Sequence, residues 1–208
     1  MPDIAGFGAV TLMVFAALVL LSVAATTVSL FKIAQFAALG LGRRGSGHVM
    51  AQWQAGQREA AVAAARGARG VRMRVLDAVL SAQLQRSDAP DWAEEMGRQA
   101  ALTELATLGR FMRVLEAVVQ AAPMLGLLGT VVGMIDAFGA LAQSTGGVDP
   151  ALLAGGIWTA LTTTAIGLAI ALVFYFVAIW LEGRIETERQ GLEVLLSAAV
   201  HGQPPRAG

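Results

Sequence analysis

Three long stretches of the chain carry no charged residue, and the segments between them mix charged and apolar positions. The uncharged stretches run from Ile4 to Phe31, from Ala117 to Ile135 and from Pro150 to Leu181. A helix needs about 20 apolar residues to cross a hydrocarbon core about 30 Å thick. The pattern therefore predicts three transmembrane helices, which we place at residues 4–31, 117–140 and 154–181.

The first stretch also has features of a secretory signal, which would be removed from the mature protein. Against that interpretation, no basic residue precedes it, its apolar part is longer than a signal core, and Lys32 follows it directly. We therefore expect a retained transmembrane helix that ends near Lys32.

The segment after the first span has helical periodicity. Val71, Val75, Val79 and Leu80 recur at helical spacing within a region rich in alanine, glutamine and arginine. Pro90 then interrupts the pattern, and Asp91 with Glu94 resembles a capping box. Residues 32–116 are therefore expected to form a region of helices.

A second helical pattern begins near Trp92. Leu102, Leu105, Leu108 and Met112 follow a period of three to four residues, with no strong stop signal before Ala117. We expect one long helix that continues from Trp92 into the second span; the alternative is a set of separate helices joined by turns. Residues 182–196 are compatible with a continuation of the third helix.

Composition agrees with a membrane protein. Of the 208 residues, 56% are hydrophobic and 14% are charged, whereas soluble domains carry about a quarter charged residues. The absence of cysteine excludes disulfides and thiolate metal sites. The formal net charge is zero, so charge gives no indication of a nucleic-acid partner. The predicted fold class is an all-α membrane protein.

The basic residues are distributed unevenly along the chain. Twelve of the fifteen lysines and arginines lie between Lys32 and Arg113, and the other three follow Leu181. Because basic residues favour the cytoplasmic side, residues 32–116 and 182–208 are predicted to be cytoplasmic. The N-terminus and the connection at residues 141–153 then lie outside, so the topology is N-out and C-in. Some of the cytoplasmic arginines could contact anionic lipid headgroups, although such charges more often only fix topology.

Small residues mark the second and third spans. Gly126, Gly129 and Gly133 recur at spacings of three and four residues in the second span, and Gly167 lies in the third. Such stripes let helices approach closely in lipid. A phosphate-binding loop is not expected, because no lysine follows the glycines. Pro123 is expected to kink the second span.

Threonines are the candidate polar groups of the same two spans. Thr130 lies in the second span, whereas the third contains Thr159, Thr162, Thr163 and Thr164. A single threonine in a membrane helix usually bonds back to its own backbone, and hydroxyls also join helices to each other. Four hydroxyls within six positions also suit a polar wall that faces a hydrated pathway or a partner helix.

The two glycine- and threonine-containing segments, LGLLGTVVGMIDAF at 125–138 and GGIWTALTTTAIGL at 155–168, resemble the ExbB/TolQ branch of the MotA/TolQ/ExbB proton-channel family. The resemblance implies a homopentamer in the bacterial inner membrane, with the second and third spans around a lumen. It also implies an ExbD/TolR-like partner, whose single span contributes a titrating aspartate, and a TonB/TolA-like force transducer. The expected function is conversion of ion-motive force into mechanical work on the cell envelope.

The resemblance assigns pathway roles to Thr130 and Thr164. Where the family usually has a glutamate this chain has Thr159, and where it tends to have a proline the chain has Val173. Three explanations stay open for the missing acid: the partner's aspartate suffices, the coupling ion is sodium, or conduction is weak. Asp136 could supply an acid at the pathway mouth, although a solvated charge is the simpler interpretation.

A non-conducting membrane scaffold is the main alternative function, since it would need the same glycines and threonines. An enzyme is not expected, because His48 and His201 are the only histidines and no nucleophile–base pair or metal-ligand cluster is evident. We therefore expect no cofactor and no metal.

Overall fold

The computed structural model describes residues 9–39, 45–143 and 150–202. These residues form seven α-helices, which confirms the all-α class. The helices are α1 (Ala9–Leu39), α2 (Gly45–Gln54), α3 (Arg58–Gly67), α4 (Val71–Gln85), α5 (Pro90–Gly109), α6 (Met112–Gln143) and α7 (Pro150–His201). Three segments, within α1, α5–α6 and α7, are long and apolar enough to cross a membrane, as the uncharged stretches predicted.

The helices group into two compact units. The first comprises the described residues up to Leu30 together with Phe111–Ile179, and the second comprises Phe31–Arg110 and the described residues from Trp180 onward. In the first unit, Val14 and Leu18 of α1 form a small core with Ala122 and Ala171. Most large apolar side chains of this unit, such as Leu127 and Phe176, are exposed. Such an apolar surface is favourable in contact with lipid tails.

The second unit has a conventional hydrophobic core. Leu76, Val79 and Leu80 of α4 are fully buried and pack with Leu195 of α7 and Ala93 of α5. The helical spacing predicted for this region is confirmed, since Val71, Val75, Val79 and Leu80 are all at most 2% exposed.

An ion pair is buried within the second unit. The Arg72 guanidinium donates to both carboxylate oxygens of Glu188, at 2.9 and 3.2 Å. Glu188 is 3% exposed, so the pair is largely shielded from water. Gly191 leaves space for the guanidinium, because a Cβ there would lie 2.6 Å from Arg72 Nη2. A second, more exposed pair joins Arg74 to Glu104, whose hydrogen bond raises the pKa of Arg74 above its usual value.

The prediction of one helix from Trp92 into the second span is wrong. α5 ends at Gly109 and α6 begins at Met112, and Phe111 adopts a φ of 68° between them. Apolar residues keep their spacing across the break, since Leu108, Met112 and Leu115 are all buried. Periodicity therefore gave no sign of it.

The capping box at the start of α5 is also wrong. The helix begins at Pro90, with Ala89 as the N-cap and no side-chain hydrogen bond at the cap. Asp91 lies inside the first turn, because proline fixes a helical φ at the first position and needs no N–H partner there. The third helix does extend as predicted: α7 is continuous over 52 residues.

Candidate functional site

α6 and α7 approach closely along the predicted glycine stripe. A Cβ on Gly126 would lie 2.9 Å from Thr164 Cα, and one on Gly133 would lie 3.0 Å from Ala160 Cβ. Gly129 faces the side chain of Thr163, whose Cβ would be 2.8 Å from an added Cβ. Side chains larger than hydrogen at these three positions would push the helices apart.

Small residues of α7 complete the contact. A Cβ on Gly167 would lie 2.5 Å from the Ala122 carbonyl oxygen, and one on Gly156 would lie 2.5 Å from Ala137 Cβ. The two backbones are therefore nearly in contact at Gly167, where the obstacle is main chain and cannot rotate away.

Thr163 lies inside this contact. Its side chain is 0% exposed, and its hydroxyl donates to the carbonyl oxygen of Ala160 at 2.6 Å. The same hydroxyl lies 3.3 Å from the carbonyl oxygen of Gly126 on α6. A buried hydroxyl group needs a hydrogen-bond acceptor, and the Thr163 hydroxyl has one on each of the two helices.

Thr164 makes the shorter bond between the two helices. Its hydroxyl donates to the Gly126 carbonyl oxygen at 2.7 Å, and the side chain is only partly buried. The proton of Thr164 is thus committed to the backbone of α6, whereas the lone pairs of its oxygen stay available to an outside donor or cation.

Thr130 and Thr162 bond to their own helices. The Thr130 hydroxyl donates to Leu127 O at 2.7 Å, and that of Thr162 to Trp158 O at 2.8 Å. Both side chains, like that of Thr159, are half-buried. Backbone hydrogen bonds of this kind are common for threonine in membrane helices.

The contact divides the threonines between two edges of the helix pair. An α-helix turns about 100° per residue, so Thr164 lies on one side of the α7 contact face and Thr159 on the other, about 140° away. On α6, Gly126 faces Thr164, and Thr130 is one turn further along that side. Thr130 and Thr164 therefore share one edge, and Thr159 lies on the opposite edge.

The remaining predicted residues have simple surroundings. α6 is continuous through Pro123, and the kink remains a prediction. Asp136 is exposed within α6. Within the described ranges, no group of three His, Cys, Asp or Glu side chains could hold a metal ion.

One buried charge was not anticipated from the sequence. Lys32, the only lysine of the chain, is 0% exposed. Its ammonium group donates to the Leu108 carbonyl oxygen at 2.6 Å and to Gln35 Oε1 at 2.9 Å. A lysine that directly follows an apolar stretch indicates the end of a span, and no sequence signal points to a partner 76 residues away.

Comparison with known proteins places these helices in a family. Residues 70–194, which include α4 to α6 and most of α7, match the sequence profile of the MotA/TolQ/ExbB proton channel family. The chain belongs to this family. It is therefore a multi-pass membrane protein of a transport family rather than an enzyme, and the resemblance noted for the second and third spans is confirmed.

Individual relatives carry ExbB names. The chain is 35% identical over 102 residues to a putative biopolymer transport protein ExbB homolog of Methanothermobacter thermautotrophicus. It is 36% identical over 103 residues to the biopolymer transport protein exbB1 of Vibrio cholerae. These matches cover 49% and 50% of the chain but only 36% and 42% of the two relatives.

Proposed function

We propose that the chain is the ExbB/TolQ-like subunit of a proton-driven motor complex. In this proposal an ExbD/TolR-like protein supplies a single transmembrane helix with an aspartate, and a TonB/TolA-like transducer delivers the force to an envelope target. The proposal rests on family membership and on one geometric observation: Thr130 and Thr164 occupy one edge of the α6–α7 pair.

The proposed assembly is a homopentamer in the bacterial inner membrane, with the N-terminus outside and the C-terminus inside. The edge with Thr130 and Thr164 would face the lumen and the helices of the partner. The complete absence of basic residues from 117–181 supports this orientation, because the connection between α6 and α7 then lies outside.

The hydroxyls would act as hydrogen-bond acceptors along the pathway. Thr130 and Thr164 both donate their protons to carbonyl oxygens, so water molecules or a protonated carboxyl group would donate to their oxygens. A threonine cannot release a proton near neutral pH. The titrating group is therefore assigned to the partner, because this chain has Thr159 at the position where the family usually has a glutamate.

Proton flux into liposomes tests the proposal. Liposomes would hold the chain and its partner, with sodium equal on both sides and an imposed membrane potential. We expect flux with the wild-type chain and at least a tenfold reduction in Thr164→Ala and Thr130→Ala. Flux that appears only in Thr159→Glu would contradict proton conduction by the native chain.

A non-conducting or sodium-coupled scaffold is the second candidate. It is favoured by the engagement of Thr163 and Thr164 at the helix–helix contact, which a purely structural subunit would also need. An assembled complex that carries sodium but no protons would identify sodium coupling, since threonine and carbonyl oxygens suit a hard cation. An assembled complex that carries neither ion would identify the scaffold.

A further inference from the structure

Thr163 differs from its neighbours in being inaccessible. It is 0% exposed, whereas Thr130, Thr159, Thr162 and Thr164 are half-buried. No ion or water molecule moving along the surface of the helix pair can reach its hydroxyl. Any effect of Thr163 on the ion pathway must therefore be exerted through other residues.

The side chain of Thr163 fills the space that Gly129 leaves open. A Cβ on Gly129 would lie 2.8 Å from Thr163 Cβ and 3.2 Å from Thr163 Cγ2. The threonine thus stands against the backbone of α6, and rotation of α7 about its axis would drive the side chain into that backbone. Close packing of this kind leaves discrete arrangements rather than a continuous range.

Hydrogen bonds add a polar restraint at the same place. The Gly126 carbonyl oxygen accepts from Thr164 at 2.7 Å and lies 3.3 Å from the Thr163 hydroxyl. Consecutive residues of α7 therefore converge on one carbonyl group of α6. A turn of α7 by one residue position, about 100°, would break both contacts and move Thr164 away from the edge it shares with Thr130.

We propose that Thr163 is a positioning residue, which holds α6 and α7 of one chain as a fixed pair so that Thr130 and Thr164 keep a common edge throughout ion transport. The inference rests on the proposed function, because it assigns the pathway to that edge. It places the movements of the working complex between chains or against the partner, and none between α6 and α7.

A threonine series separates the hydroxyl of Thr163 from its shape. Thr163→Val keeps the branched shape and removes the hydroxyl, whereas Thr163→Ser keeps the hydroxyl. Thr26→Val is the matched control, because Thr26 is exposed on α1 and its hydroxyl donates to the carbonyl oxygen of Ser22 in the same helix at 2.7 Å. We expect flux per assembled complex to fall at least threefold in Thr163→Val, to recover in Thr163→Ser and to be unchanged in Thr26→Val. Equal flux in Thr163→Val and wild type, or equal losses in both Thr163 variants, would overturn the positioning role.

A disulfide tests whether the pair is fixed during transport. Gly133→Cys with Ala160→Cys places two thiols on facing positions of α6 and α7, where an added Cβ lies 3.0 Å from Ala160 Cβ. The two helices have to separate by only about 1 Å there to reach the Cβ–Cβ distance of a disulfide, about 3.5–4.5 Å, and this separation is common to the oxidised and reduced forms that are compared. The chain has no other cysteine. We expect efficient bond formation and the same flux before and after reduction. Flux that returns only after reduction would show that the helices must move against each other and would overturn the inference.

The two proposals can fail separately. If the assembled wild-type complex carries no ions, the proposed function fails, and the yield of the disulfide alone decides the structural part. A lower yield in Thr163→Val than in wild type then supports Thr163 as the residue that fixes the pair. An equal yield overturns it.

Discussion

The close contact between α6 and α7 depends on glycines, which have no Cβ atom to hold the two helices apart. Gly126, Gly129, Gly133 and Gly167 each face main chain or a small side chain of the other helix within 3.0 Å of an added Cβ. In lipid the hydrophobic effect does not drive helices together, so their association depends on van der Waals contacts and hydrogen bonds, which this close approach provides. The spacing of these residues indicated a packing stripe from sequence alone, but not that the Gly126 carbonyl would be the common acceptor.

Gly167 is the position where a methyl group should do most harm. In Gly167→Ala the new Cβ would meet the Ala122 carbonyl oxygen at 2.5 Å, and we expect a loss of about 2 kcal/mol from overpacking. Gly155→Ala on the same helix is the control, because nothing lies within 4 Å of its Cβ. Thermal unfolding in detergent should show a lower midpoint for Gly167→Ala only; equal midpoints would contradict the close approach.

Glu188 is the buried carboxylate of the second unit, and it accepts two hydrogen bonds from Arg72. Glu188→Gln leaves the Arg72 guanidinium, whose side chain is 23% exposed, without its carboxylate, and we expect a loss of about 2 kcal/mol, because hydrogen bonds between charged groups contribute about 1.5–3 kcal/mol. Glu95→Gln removes an exposed pair with Arg98 at 3.9 Å and should cost less than about 0.5 kcal/mol. Denaturation in detergent, followed by circular dichroism, compares them. A smaller effect at Glu188 than at Glu95 would refute this assignment.

At the scale of elements, the sequence predicted what a long uniform signal encodes. The three membrane-spanning segments and the continuous α7 were predictable, because their signals, hydropathy and helical periodicity, extend over many residues. The break between α5 and α6 was not, since it occupies two residues and leaves the apolar spacing intact. Phe111 holds a positive φ there, a conformation that costs about 1 kcal/mol or more outside glycine and that no local sequence feature announces.

The end of α5 is held by a residue from another helix. The Lys32 ammonium donates to the Leu108 carbonyl oxygen at 2.6 Å, one of the last carbonyls of α5, where a cation is favoured. In Lys32→Met we expect amide hydrogens of the last turn of α5 to exchange about tenfold faster, since a hydrogen bond from a charged donor contributes about 1.5 kcal/mol. Hydrogen–deuterium exchange measures this.

Arg98→Met, on the exposed surface of α5, is the control for the same loss of charge. Faster exchange in both variants would mean that net charge, rather than the hydrogen bond of Lys32, determines the stability of the last turn.

For the whole molecule, the distribution of charge predicts orientation in the membrane. Single cysteines can be placed without background, because the chain has none. Ser144→Cys, in the predicted external connection, should react with an impermeant maleimide in intact cells. Ser87→Cys, exposed between α4 and α5, should react only after the cells are opened. The reverse labelling would refute the N-out, C-in topology.

The proposed function of this chain is proton conduction with an acid supplied by its partner. Its most direct test is proton flux in liposomes that contain the full chain and the partner, with the transmembrane aspartate of the partner either present or replaced by asparagine. We predict flux with the aspartate, none with asparagine, and equal assembly of the two complexes. Proton flux that persists without the aspartate would contradict the proposed function, because the pathway would then need no titrating group from the partner.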